Sequence, residues 1–123
     1  AAAGEALEAF SAAYSQVSED GSGNFIFAPQ AYDAVMLMAI SAAANGVTGP
    51  EIASGLVAAS SGGEKCIGVA CIALAADGVD VDYVGASGEI ELNEAGDPTA
   101  ATYDIWTTEG DVNPVLKSVD FGS

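Results

Sequence analysis

Apolar residues recur at two different periods along this chain, and the change of period divides it. From Glu5 to about Glu19, Leu7, Phe10, Tyr14 and Val17 fall at helical spacing, one face of an amphipathic helix. The cluster Asp20-Gly21-Ser22-Gly23-Asn24 ends that helix, and Phe25-Ile26-Phe27 makes a short apolar bridge. Pro29 opens a second helix, Gln30 to Ala44, at a position where its missing N–H does no harm. Val35, Met36, Leu37, Met38 and Ile40 are spread around that helix, which predicts burial on nearly every side. Both methionines are then core filling. Asn45-Gly46 stops the helix. Thr48-Gly49-Pro50-Glu51 has the S/T-x-x-E form of a capping box and starts a third helix, to about Ala59, that buries Ile52, Leu56 and Val57. After the loop Ser60-Ser61-Gly62-Gly63, a short fourth helix spans about Val69 to Ala76, closed by Gly78.

Beyond Gly78 the pattern alternates. Val79, Val81 and Tyr83 interleave with Asp80 and Asp82, and Ile90 and Leu92 interleave with Glu89, Glu91 and Asn93. These are strands with a carboxylate face toward water. Asn93-Glu94-Ala95-Gly96-Asp97-Pro98 signals a turn, and Ala101, Tyr103 and Ile105 alternate after it. The strands flanking that turn are therefore expected to form a β-hairpin, and Gly85, Ser87 and Gly88 to shape the turn into its first strand. The expected organisation is a helical segment over 1–78, a β-hairpin segment over 79–110 and a weakly patterned tail over 111–123. Helices grouped before strands suggest α+β, or a piece of a larger α/β protein.

Composition narrows the chemistry. The 123 residues fit one domain. The chain carries 18 Asp and Glu against two Lys, Lys65 and Lys117, with no His and a net charge of -16. No basic stripe exists to neutralise phosphates, which excludes nucleic acid and argues against an anionic membrane surface. The lack of His removes the Ser-His-Asp and Cys-His couples and the usual zinc site. The apolar share is 50%, but much of it is Ala, and bulky apolar side chains are sparse. The most apolar run, Ala34 to Ala44, is about half the ~20 residues a spanning helix needs. The first residues carry no signal-peptide pattern, so either the protein is intracellular or the sequence begins downstream of its true start.

Carboxylates are the abundant reactive groups. Asp80/Asp82 and Glu89/Glu91 each share one strand face, which fits a solvated sheet better than the cross-cleft pair of a glycosidase. DGVDVDYVG and ELNEAGDP miss the spacing of a calcium loop, and SSGGEK lacks the Lys-Ser/Thr of a P-loop. No enzymatic constellation and no cofactor site emerges. Cys66 and Cys71 form C-x4-C, neither a thioredoxin motif nor a metal set. They make a local disulfide if the segment turns, and two unpaired thiols if it stays helical.

Three stretches carry a resemblance. FIFAPQAYDAVMLMAISAAANG, the downstream run GVDVDYVGASGEIELNEAGDPTAATYDIWTTEG and the preceding helix ALEAFSAAYSQV resemble, in the same order, the C-terminal portion of type I periplasmic solute-binding proteins. The similarity runs from about Leu7 to Gly110 and is greatest to the branched-chain amino-acid (Leu/Ile/Val-type) receptors of ABC transporters. It implies an α/β chain that is a fragment of a two-lobed type I periplasmic-binding-protein fold, with Gln30–Ala44 and Pro50–Ala59 in one lobe and Asp82–Trp106 in the other. The Cys66–Cys71 stretch resembles a disulfide-bearing loop of some members, which implies that pairing.

The implied function is an extracytoplasmic, non-enzymatic solute-binding component of an ABC importer for amino acids or related small polar ligands. Its location would be periplasmic or extracellular, lipid-anchored or secreted in the parent, and its partner a membrane permease. Tyr32 would supply an aromatic wall, Asp33 a counter-charge for an ammonium group, and Gln30 a weaker contact. The fragment alone would bind ligand poorly, and would self-associate or pair with the missing portion. Two other readings remain open: a small acidic secreted protein–protein interaction module, and the ligand-sensing ectodomain of a signalling receptor.

Overall fold

A computed structural model describes residues 4–19 and 26–122. The Asp20–Asn24 breaker and Phe25 lie outside the described residues. Four helices come first, α1 (Glu5–Val17), α2 (Ala28–Asn45), α3 (Gly49–Ala59) and α4 (Ala70–Ala76), with strand β1 (Glu64–Cys66) between the last two. Strands β2 (Val81–Gly85), β3 (Gly88–Glu89), β4 (Ala101–Trp106) and β5 (Val115–Phe121) follow. The chain is thus a mixed α/β arrangement of helices and small sheets.

Helix α2 organises a lobe by packing on α3 and α4 and touching β2. Pro29 stands in its first turn, as the missing N–H requires. The capping box forms at the start of α3, where the Thr48 N–H donates to Glu51 Oε2 at 2.9 Å. The Thr48 hydroxyl, which donates to the same oxygen at 2.7 Å, and then this N–H hold the Glu51 carboxyl below its usual range. Strands β1 and β2 run parallel with α4 as their crossover, and β2 turns back into β3 antiparallel. Alternation in β2 buries Val81, Tyr83 and Gly85, and the first two join Met36, Leu37, Ile40, Cys71 and Ala75 in the core. Cys66 and Cys71 are joined by a disulfide across a Cα–Cα distance of 5.4 Å. The segment between them turns at Gly68 (φ +57°), which separates the end of β1 from the start of α4.

Two expectations are corrected. Helix α2 is not buried all round: Met36, Leu37 and Ile40 face inward, whereas Val35 and Met38 are 59% and 44% exposed. The elements packed on α2 cover one side of it, so Met36 is core filling and Met38 is not. The hairpin partner also differs. The turn at Asn93–Asp97 forms, with the Asn93 side-chain oxygen accepting the amides of Ala95 (2.9 Å) and Asp97 (3.0 Å) and Gly96 at φ +87°. Above it the chains meet at the Leu92–Pro98 bridge, flanked by bonds from the Asn93 N–H to the Asp97 carbonyl at 2.9 Å and from the Thr99 N–H to the Glu91 carbonyl at 2.8 Å, and no longer ladder forms there among the described residues. Leu92 is drawn instead to the lobe, where its N–H donates to Ser60 Oγ at 3.0 Å. Strand β4 pairs with β5 from the tail, from Ala101↔Phe121 to Trp106↔Val115, with a bulge at Ile105/Trp106.

This β4–β5 ribbon is an arm beside the lobe. One of its faces carries the pairs Thr102–Asp120 and Asp104–Ser118, each joined by a hydroxyl-to-carboxylate hydrogen bond, at 2.8 and 2.6 Å. The Ser118 hydroxyl holds the Asp104 carboxyl below its usual range. The opposite face presents Tyr103, Ile105, Val119 and Phe121, all exposed.

Candidate functional site

Where the arm leaves the lobe, a cavity of about 650 Å³ opens between them. The start of α2 provides one side through Gln30, Ala34 and Leu37, and the chain after β2 provides a second through Ser87, Glu89 and Ile90. Both strands of the arm close the third side, with Thr102 and Asp120 its polar groups. The charged residues on this lining are Asp33, Glu89 and Asp120, all acidic. Glu89 lies at the rim and accepts a 2.6 Å hydrogen bond from Lys65 Nζ, while Asp82 stands 3.8 Å from the same ammonium. The hydrogen bond holds the Glu89 carboxyl low and the Lys65 ammonium high.

The three residues picked from the sequence occupy different surroundings. Gln30 is exposed at the cavity lip. Tyr32 is half-buried, its ring 5.2 Å from that of Phe10 on α1 at a 54° tilt, so it packs between helices. Among the described residues Tyr32 does not line the cavity. Asp33 is 2% exposed and borders the cavity. Its Oδ1 accepts the Tyr83 hydroxyl and the Ala86 N–H, both at 2.8 Å. Its Oδ2 accepts the Ser87 N–H at 2.7 Å and the Ser87 hydroxyl at 2.5 Å. Burial first, then the bond to Asp33, pushes the Tyr83 hydroxyl well above the usual phenol range.

A sequence profile described as the receptor family ligand-binding region matches residues 5–111. The chain belongs to this family. The match spans both the lobe and β4 of the arm, and the mixed α/β architecture agrees with a portion of a type I periplasmic-binding-protein-like fold. The family is one of ligand-binding regions, so binding of a small molecule is the activity that membership implies. No curated protein and no solved structure matches the chain. Among the described residues no helix is long and apolar enough to cross a membrane.

Sequence reasoning did not find the partners of Asp33. Tyr83 read as an inward strand residue and Ser87 as a turn former, and nothing local linked either to a carboxylate 50 and 54 positions earlier. The one available signal was Gly85, a glycine in a buried strand, which marks a close approach of another group. Ser60 was likewise missed: it read as part of a loop, yet it is 1% exposed and anchors Leu92.

Proposed function

We propose that the chain is the C-terminal portion of an extracytoplasmic solute-binding receptor of an ABC importer. In the whole receptor it contributes one wall of a cleft that takes an amino acid or a related small polar ligand. The observation that carries this reading is the match of residues 5–111 to a ligand-binding region. The cavity between lobe and arm supports it, being a concave site with an apolar floor and a few polar groups at its edge. Gln30 is the contact this chain offers, an exposed amide able to donate and accept. The disulfide suits an oxidising compartment outside the cytoplasm. The exposed apolar face of the arm fits a chain whose arm is covered by the rest of the receptor, or by a second copy when the chain is alone. Closure of the cleft on ligand would present the receptor to its permease.

Isothermal titration tests the reading. A panel of branched-chain and other amino acids should give a saturable isotherm with the whole receptor and no heat with this chain alone. Tight binding by the isolated chain, or none by the receptor for any small polar ligand, overturns it. The family's description as a receptor region favours a second reading, a ligand-sensing ectodomain. A transmembrane segment encoded downstream of the ligand-binding region would select it.

A further inference from the structure

The β2–β3 connection is a tight turn whose amides find their acceptor on another element. Gly85 pairs with Gly88, leaving Ala86 and Ser87 as a two-residue loop. Such loops favour turns with positive φ at the first or at both central positions, because only these match the twist of the flanking strands. Neither Ala86 nor Ser87 has a positive φ, and among the four residues only Gly88, at +128°, does. The positive φ falls instead on the glycine that closes the turn, and the turn's own amides are left to bond outside it. The two successive amides of Ala86 and Ser87 converge on one carboxylate, that of Asp33, as an anion sits in a backbone nest. The hydroxyls of Tyr83 and Ser87 supply its remaining donors. The space for the carboxylate is left by Gly85, where a Cβ would stand 2.5 Å from Asp33 Oδ2.

We propose that Asp33 is a positioning residue: its carboxylate latches the Gly85–Gly88 turn to the first turns of α2 and thereby fixes the cavity wall that begins at Ser87. This assignment rests on the binding reading only for what the wall faces; the latch itself is a property of the chain with or without ligand. It replaces the role of counter-charge to a ligand ammonium, because four donors already occupy the carboxylate. Ser87, Gly88, Glu89 and Ile90 follow directly from the latched turn and line the cavity, so a loosened turn moves the wall as a unit.

Amide hydrogen exchange on this chain, read by NMR, tests the latch without any ligand. In the native sequence the Ala86 and Ser87 amides should exchange at least about tenfold slower than the exposed Glu94 amide. Asp33→Asn keeps the size but replaces an acceptor with a donor, and should speed exchange at both amides about ten- to hundredfold. Exchange at Ile40 and Leu56, inside helices, should speed up less than at the two turn amides, whereas a purely global loss of stability would raise all of them together. If Asp33→Asn does not fold, Ser87→Ala, which removes one hydroxyl donor, should still speed the Ser87 amide selectively. Native exchange at Ala86 and Ser87 as fast as at Glu94 overturns the proposal, as does Asp33→Asn with those two amides unaltered. A failure to find any ligand would overturn the binding reading and leave this result standing.

Discussion

Replacing Gly85 by alanine strains the latch without removing any of its hydrogen-bonding atoms. A Cβ at position 85 falls 2.5 Å from Asp33 Oδ2, 2.7 Å from Asp33 Cγ and 2.7 Å from Ile90 Cδ1. Gly85 has no positive φ, so alanine meets no backbone strain there, and its smaller unfolded-state entropy favours folding by up to about 1 kcal/mol. Ile90 is half-buried and can turn its end methyl aside. The carboxylate cannot yield so easily, because any shift lengthens bonds to donors held at 2.5–2.8 Å. Overpacking costs about 1–3 kcal/mol, and loss of one hydrogen bond to a charged group adds about 1.5–3 kcal/mol. Against the entropic gain, the net destabilisation should be about 1.5–5.5 kcal/mol. Ala53→Gln is the control, since Ala53 is exposed on α3 and both residues are good helix formers, so a change within about 0.5 kcal/mol is expected. Urea unfolding followed by far-UV circular dichroism reads both. In an Asp33→Ala background the cost of Gly85→Ala should shrink by at least about 1 kcal/mol, since the two residues compete for one space. A Gly85→Ala chain as stable as the control would refute the reasoning.

Three further outcomes follow from the same contacts. The raised Tyr83 hydroxyl keeps its proton in the folded chain while the unfolded chain gives it up. Its contribution is therefore complete below about pH 10 and falls by about 1.4 kcal/mol per pH unit above it; Tyr83→Phe should remove that slope in urea titrations between about pH 9 and pH 11. Opening the Cys66–Cys71 disulfide, by reductant or by Cys66→Ala with Cys71→Ala, should cost about 2 kcal/mol, the value for so short a loop, and unchanged stability would show the bond to be idle. Ile40→Ala, at a residue 1% exposed, should cost about 2–5 kcal/mol, whereas Ile105→Ser on the half-exposed face of the arm should stay within about 0.5 kcal/mol in the isolated chain; equal costs would place the arm in the core.

What could be read from the sequence was local. Helical periodicity placed α1 to α4 because each has an apolar face, a capping box or a closing glycine within a few residues. Alternation marked β2 because its inward residues Val81, Tyr83 and Gly85 are buried. Strand β1 escaped notice because three residues, Glu64, Lys65 and Cys66, show no period; their pairing with β2 is a tertiary fact. The partner of β4 was misjudged because β5 lies exposed on both faces and its register shifts at the bulge, so no in–out alternation records it. Helix α2 appeared buried all round because Val35 and Met38 are apolar, and composition does not say which neighbours are present. At the site, Gln30 and Asp33 were brought to the cavity as residues three apart on one helix face, with Tyr32 turned toward α1. The engagement of the Asp33 carboxylate by Tyr83, Ala86 and Ser87 was beyond a linear reading, since it joins segments separated by 50 to 54 positions.

Backbone amide shift mapping of the whole receptor during ligand titration tests the central claim most directly, because it asks where on this chain a ligand acts. The account predicts saturable shifts at Gln30, Glu89 and Thr102 around the cavity between lobe and arm, with α3 and its Thr48–Glu51 cap unmoved. Saturable binding that leaves those cavity residues unshifted while perturbing α3 or the far side of the lobe would contradict it.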